Sequence, residues 1–387
     1  MFEKHYETVV CGGGVAGVAA ALASARRGIK TCLIEKTIQP GGLATGGLVL
    51  IYLPLCDGKG TQVTFGICEE LIRASNKFGP KDLPSDLHEK RMEVLFSPAS
   101  FILAMDELLT DAGVDIWYDT VITGAELKSQ RITGVNVFNK SGHGVIRGNT
   151  FIDATGDTDV ASAAGLPCLE ADNSLVTWVI EKRGKATFPH MHFSPDIMVR
   201  VAQKPDSGGY TAPGINGRMV SGYVLDNRRY YRELLDKNYA EGESRYDLYP
   251  LHLPSVPTLR HTRCLKGTTV LQPGLENTAC ADSIGLAADW RCAGKVWEIP
   301  WSSLFCGEAE NLLAAGRCSS AYGDAWEITR VIPTAAMTGE VAGVAAALAV
   351  QENCPAAKLD YALLAGELRD KCGFLLHLPD AGLTYRQ

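Results

Sequence analysis

The chain has 387 residues, 46% of them hydrophobic, and a formal net charge of −7. That length exceeds a single compact domain and provides enough interior to fold without disulfides or metals. An acidic balance with no dense Lys/Arg block argues against nucleic acid as a partner, and no stretch reaches the ~18 uninterrupted apolar residues of a membrane helix.

The N-terminal MFEKHYETVVCGGG passes from charged residues into a strand pattern without a cleavage site, so no secretory signal is expected. Residues 7 to 36 read as a βαβ unit, with a strand over 8–11, a small-residue helix over 15–27 and a second strand over 30–35. The glycine-rich, apolar loop PGGLATGGLVLIYLPLCDG (40–58) is too long for a simple connection and is expected to cover a ligand. Helical patterns dominate 63–109, broken by a Pro/Lys-rich stretch at 79–91. Short strands follow over 114–118, 120–127 and 132–139, and a turn at 140–143 leads to a strand ending in FIDATGD (151–157). From about 170 to 300 the chain carries more proline, aromatics and charge, including a Tyr-rich helix at 223–245. A strand-like NLLAAGR (311–317) and a final small-residue helix over 334–350 complete the pattern.

The expected fold class is α/β, a Rossmann-like dinucleotide-binding domain with an inserted α+β substrate domain. Residues 1–170 and 300–387 would form the discontinuous nucleotide-binding domain, and 171–299 the cap. Twelve cysteines lie scattered with no C-x-x-C pair, which points to reduced thiols and a cytoplasmic location rather than metal or disulfides.

The chemistry is densest in Gly12-Gly-Gly14-Val15-Ala16-Gly17, a G-x-G-x-x-G following a strand and opening a helix, with Glu35 closing the next strand. Gly12 permits the tight turn, Gly14 lets the backbone approach a pyrophosphate, and Gly17 lets helix and strand pack closely. Unpaired N–H groups at the helix start favour phosphate, and Glu35 suits an adenosine ribose while disfavouring a 2′-phosphate. This fingerprint alone leaves NAD and FAD both open.

Four segments in order, VVCGGGVAGVAAALASARRG, PGGLATGGL, FIDATGDTDVASAAG and NLLAAGRCSSAYGDAWEITRVIPTAAMTGEVAGVAAALA, resemble the FAD-dependent oxidoreductase family of the glutathione-reductase-type fold. More distantly they are similar to the fumarate reductase flavoprotein and p-hydroxybenzoate hydroxylase. The resemblance covers both ends, about half the chain, and the block ADSIGLAADWRCAGKVWEIPWSSLFCG (281–307) resembles the same, largely bacterial, group.

The resemblance implies that FAD is held by Gly12, Gly14, Val15, Ala16 and Gly17, with Glu35 and Lys36 at the ribose. Gly41, Gly42 and Leu43 would lie beside the flavin, and Val121 would meet the adenine through its backbone. Ala154, Thr155, Gly156 and Asp157 would flank the cofactor, and Gly316 with Arg317 would face the ribityl and phosphate. Arg317 departs from the Asp or Glu of many relatives in the wider fold. Arg330 would take a cofactor-side or pocket role, and the helix starting near Thr334 would aim its N-terminus at the flavin.

Catalytic candidates are Arg260, His261 and Arg263 in PTLRHTRCLKG, suited to binding a carboxylate or donating a proton, against the plainer reading of an exposed basic strand. Cys56 is a candidate for reaction with substrate or for tethering the flavin, against a packed small side chain. His190 and His192 share a strand face but lack acidic or cysteine partners, so no metal is expected. The expected function is an FAD-dependent dehydrogenase or reductase that moves a hydride between flavin N5 and a small organic substrate and exchanges electrons with a separate carrier. Two alternatives stay open: an NAD-dependent dehydrogenase using the single βαβ unit, and a flavin-bound non-catalytic subunit of a larger complex. A homo-oligomer is compatible with the sequence; nucleic acid and membrane partners are not expected.

Overall fold

The computed structural model describes residues 1–79, 91–171, 177–183, 197–202 and 214–386. The chain opens with β1 (Phe2–Cys11), α1 (Val15–Ala25) and β2 (Thr31–Ile34), close to the βαβ unit expected from the sequence. Next come β3 (Ile51–Tyr52), α2 (Ile67–Ala74), β4 (Val94–Leu95), α3 (Pro98–Asp111) and β5 (Asp115–Trp117). A meander of β6 (Val121–Lys128), β7 (Arg131–Asn139) and β8 (Gly142–Asp153) leads into α4 (Asp159–Ala163) and β9 (Cys168–Glu170). The middle of the chain supplies β10 (Thr177–Arg183), β11 (Ile197–Ala202), α5 (Gly217–Ala240), β12 (Leu248–His252) and β13 (Arg263–Leu265). It continues through β14 (Ser283–Ala288), β15 (Val296–Pro300), β16 (Leu312–Ala314), α6 (Trp326–Thr329), α7 (Ile332–Gln351) and α8 (Tyr361–Cys372).

The central sheet runs β5-β2-β1-β8-β7-β6, and β16 also pairs with β8. Strands β5, β2, β1, β8 and β16 are mutually parallel, whereas β6 and β7 form an antiparallel extension. The 12-residue β8 makes this mixture workable. Its first half, Gly142–Ile146, pairs with β7, and its last residues, Phe151–Asp153, pair with β16. Sequence separated by some 160 residues is thereby joined in one sheet, and the carboxyl ends of β1, β8 and β16 meet at one edge, the usual place for a ligand in such sheets.

Two helices of small residues cover one face. In α1 every residue from Val15 to Ser24 is buried, and in α7 every residue from Ile332 to Ala349. A Cβ added at Gly339 would lie 2.1 Å from the Ala16 carbonyl oxygen, and one at Gly343 would lie 2.2 Å from that of Ala20, so the helix backbones touch where glycine sits. Among the described residues α7 is the one helix long and apolar enough to cross a membrane, and the protein interior buries its apolar stretch from Ile332 to Ala349. It begins at Ile332 rather than 334, with Pro333 in its first turn, where the missing N–H costs nothing.

One carboxyl interrupts this apolar helix. Glu340 Oε2 accepts the Ile67 N–H at 2.6 Å, at the start of α2. Burial raises the Glu340 carboxyl to about 7, the Ile67 N–H and nearby Arg27 pulling the other way.

The segment 171–299 divides between two environments. Strands β10, β11 and β12 form a separate antiparallel sheet, with α5 packed on it through Val179, Tyr231, Leu235 and Leu248. In contrast, Ile284, Ala287, Trp297 and Ile299 of the β14–β15 ribbon belong to the main core beside α7. Helix α5 starts at Gly217, earlier than the sequence pattern indicates, because Asn216 caps it by accepting from the Arg218 and Met219 N–H groups, each at 3.1 Å.

Candidate cofactor and substrate cleft

At the carboxyl edge of the sheet lies a cleft of about 980 Å³. The β1–α1 turn forms one wall. Gly12 has φ 101°, and a Cβ there would sit 2.5 Å from the Ala154 carbonyl oxygen, so only glycine fits. A Cβ on Gly17 would fall 1.8 Å from the Gly12 carbonyl oxygen. Gly14 caps α1 without any side chain, which leaves the first N–H groups of the helix directed at the cleft and free for an anion.

Glu35 is held where the fingerprint requires it. Its Oε2 accepts the Gly13 N–H at 2.7 Å and its Oε1 the Thr37 N–H at 2.8 Å, and both oxygens keep capacity for a ligand hydroxyl. The 40–48 loop crosses the turn directly, the Gly41 N–H donating to the Gly13 carbonyl at 2.7 Å.

The wall opposite is made by residues remote in sequence. The buried Asp153 carboxylate closes β8 by accepting the Val160 and Ala161 N–H groups of α4, each at 3.0 Å, and the Thr155 hydroxyl at 2.7 Å. Asp157 Oδ1 accepts from Arg317 at 2.9 Å and from the Thr262 hydroxyl at 2.8 Å. Arg317 also donates to the Leu259 carbonyl. The departure at Arg317 therefore has a structural partner, a carboxylate 160 residues upstream. Gly316 N–H donates to the Thr338 hydroxyl at 2.9 Å, tying this turn to the first turns of α7.

Beside Arg317 lies a partly buried charged cluster. Arg330 is ion-paired with Glu327, and His261 Nε2 lies 2.9 Å from Glu327 Oε1. The imidazole stacks on Trp326, with ring centroids 4.9 Å apart. Burial opposes ionisation of Glu327, yet His261 and Arg330 outweigh it and bring the carboxyl down to about 2. Burial pushes Arg330 down, Glu327 resists this, and the charges of Arg260 and Arg317 add to it. Arg260 makes no hydrogen bond or ion pair among the described residues.

Most of the cofactor residues expected from sequence line this one cleft. Gly12, Gly14, Val15 and Ala16 do so at the first turn, followed by Glu35, Lys36 and Gly41 through Leu43. Ala154 through Asp157, Gly316, Arg317 and Arg330 complete the set. Gly17 and Thr334 lie behind the surface, Gly17 packing on the turn and Thr334 buried in the first turn of α7, where Ile332 and Ala335 face the cleft instead. Val121 is not brought in. It opens β6 opposite Phe138, 45% exposed on the meander.

The catalytic candidates separate. Arg260 and His261 border the cleft's charged cluster, but Arg263 turns away, donating to the Asp157 carbonyl at 2.9 Å and to Asp159 at 3.4 Å. Cys56 is also remote. It is 1% exposed with Sγ 3.9 Å from Met92 Sδ, and burial raises the thiol to about 11, so the reactive thiolate is scarce at neutral pH. All twelve cysteines are free. Among the described residues no three His, Cys, Asp or Glu side chains are grouped to hold a metal, and His190 and His192 lie outside those residues. Sequence reasoning missed Thr37, Gln39, Gly46, Val256, Pro257 and Leu259, all on the cleft wall. The prolines around Val256 were the only local sign, since 253–260 reads LPSVPTLR, a pattern of extended chain.

Comparison with known proteins agrees with this architecture. The fold is similar to that of a geranylgeranyl bacteriochlorophyll reductase-like protein from Thermoplasma acidophilum, with TM-score 0.50 and 14% identity over 94% of this chain and 84% of that one. It is also similar to CabE, an aromatic hydroxylase from angucycline biosynthesis (TM-score 0.52, 12% identity, 91% of this chain and 63% of that one). BexE, from BE-7585A biosynthesis, gives TM-score 0.52 and 14% identity over 98% of this chain and 70% of that one. At these identities the likeness is one of fold. No curated protein sequence matches the chain. The family model described as FAD dependent oxidoreductase matches residues 7–200 and 177–368, nearly the whole chain. A cleft built from glycine turns at both ends of the sequence fits FAD, a long extended cofactor, and the protein belongs to the FAD-dependent oxidoreductase family.

Proposed function

We propose that this oxidoreductase is a dehydrogenase or reductase acting on a small organic substrate and exchanging electrons with a separate carrier. Bound FAD supplies two-electron chemistry, a hydride taken or given at its N5. The observation that carries the reading is the convergence of Gly12–Gly14, Gly41–Gly42, Gly156–Asp157, Gly316–Arg317 and the start of α7 on one cleft.

The chain's own residues divide the work. The N-terminus of α1 would hold the pyrophosphate through its uncapped N–H groups, and Glu35 would accept from the adenosine ribose. The start of α7 and Arg330 would give this part of the cleft a positive potential suited to a flavin that gains negative charge on reduction. Glu327 keeps Arg330 and His261 oriented, and the imidazole is a group that can hold or pass a proton beside the charged cluster. Strands β10–β12 with α5 form the cap that excludes water and selects the substrate.

The test is the visible spectrum of the purified protein before and after acid precipitation, followed by anaerobic addition of candidate donors. Bands near ~370 and ~450 nm that pass into the supernatant, and that bleach with an organic donor in the absence of oxygen, support the proposal. Reduction by NADPH followed by consumption of oxygen in step with substrate hydroxylation would overturn it in favour of a monooxygenase.

A further inference from the structure

A second cavity, of about 540 Å³, lies between α5 and the β10–β12 sheet. Val179, Val224, Leu253 and Pro254 contribute an apolar wall. Val256 and Pro257 line this cavity and the cofactor cleft alike, so a single extended strap divides the two spaces. The strap is tied to the 40–48 loop by the Ser255 N–H, which donates to the Gly46 carbonyl at 2.8 Å.

Three hydroxyls interrupt the apolar wall, one from each element that builds it. Thr177 opens β10, Tyr223 stands in α5 and Thr258 belongs to the strap, and these residues are 8%, 2% and 6% exposed. Thr177 Oγ1 and Tyr223 Oη meet at 2.9 Å. Thr258 Oγ1 is buried and makes no hydrogen bond of good geometry. A buried hydroxyl in that condition is costly, and an oxygen of a ligand in the cavity would satisfy it.

The remaining polar groups on the wall are engaged or lie in water. The Asn227 amide donates to the Tyr223 carbonyl at 2.9 Å, and the Tyr231 hydroxyl donates to the buried Glu181 carboxylate at 2.7 Å. Arg228 is exposed on α5, so among the described residues no buried charge lines the cavity.

We propose that this cavity binds a small uncharged alcohol or ketone with a compact apolar body. The body fills the space between α5 and the sheet, and the oxygen accepts from Thr258 beside the Thr177–Tyr223 pair. A carboxylate or an ammonium group would lose its water there with no opposite charge to receive it, and is rejected. The site stands on this geometry and does not depend on the redox chemistry proposed above.

The experiment is calorimetric titration of the purified holoprotein with cyclopentanol, cyclohexanol, cycloheptanol and cyclohexanone, with cyclohexanecarboxylate and cyclohexylammonium as charged controls. Affinity is expected to rise about fourfold per ring methylene, and both ions should bind about tenfold or more weakly than cyclohexanol. Thr258→Val keeps the shape of the side chain and removes the hydroxyl. It should weaken cyclohexanol and cyclohexanone about fivefold, and Thr258→Ser should restore both to within about twofold. Val224→Phe should weaken cycloheptanol more than cyclopentanol, and the ring series reads the same space without any substitution. A flat ring series, an acid that binds as tightly as cyclohexanol, or an unaltered Thr258→Val protein overturns the proposal. A yellow protein with a flat series would fail this inference alone. A colourless protein with the expected series would support the site and fail the oxidoreductase reading.

Discussion

At one end of the cleft the surface offered to the cofactor is almost entirely backbone, made by Gly12 to Gly14, the start of α1 and the loop at Gly41 and Gly42. At the other end it is side chain, made by Arg317 on Asp157 and by Arg330 on Glu327, with His261 stacked on Trp326. The two ends follow different rules of construction. Backbone N–H groups need only a turn of fixed shape, which a local run of glycines specifies. Guanidinium groups need counter-charges, and these come from wherever the fold brings them. The first end suits a constant ligand part such as pyrophosphate, and the second is free to vary with the chemistry performed.

Substitutions can break or sharpen this contrast. The largest effect is expected at the backbone end, because Gly17→Val places a branched side chain where a Cβ alone would already lie 1.8 Å from the Gly12 carbonyl oxygen. The purified protein should be colourless or insoluble, and a yellow Gly17→Val protein with full FAD content would show that the turn is not the rigid element argued here. At the side-chain end, Glu327→Gln leaves the partly buried Arg330 without its counter-ion. Such losses reach about 3–5 kcal/mol in fully buried pairs, and a smaller loss is expected here, to be read from denaturant unfolding. The double substitution Glu327→Gln with Arg330→Met should recover most of that stability while FAD remains bound.

A smaller effect is expected behind both ends, at Glu340. Its folded value of about 7 lies above the ordinary 4.5, so folding favours the protonated form. Stability is lost as pH rises from about 4.5 to 7 and is level above that, a fall of at most about 3 kcal/mol from this group. Glu340→Gln should flatten that part of the stability–pH curve without altering flavin content, and an unchanged curve would refute the assignment. The smallest effect is expected at Cys56→Ala, about 1 kcal/mol of stability for lost packing, with no change in the flavin spectrum. Colour retained in the acid pellet of the wild type and lost in this variant would reinstate Cys56 as a tether.

The same contrast explains what was legible in the sequence. The β1–α1–β2 unit, the meander and the two small-residue helices follow from local periodicity and glycine spacing, and the structure places them within a few residues of expectation. Arg317 was identified as a departure from the family pattern, but its partners, Asp157 and Leu259, are set by tertiary contact and carry no mark in the local pattern. Arg263 shares a motif with Arg260, yet it lies in β13 and braces the Asp157 turn instead of facing the cleft. The pocket between α5 and the β10–β12 sheet draws its walls from 177–179, 223–231 and 253–258, whose meeting no single stretch encodes. Glu340 escaped notice because one polar residue in an apolar helix looks the same in sequence whether it is buried or exposed.

The contact between α1 and α7 also bears on how the protein is made. A ribosome releases α1 long before Ile332–Gln351 exists, so the small-residue face of the first helix must wait, uncovered, for its partner. Strand β16 likewise reaches its place against β8 only late in synthesis. Contacts of such long sequence separation are slow to form and leave apolar surface open to other chains in the meantime. The nascent first half therefore lacks the cover that α7 supplies, and the cleft, whose wall includes Gly316, Arg317, Arg330 and Ala335, is complete only once α7 has emerged.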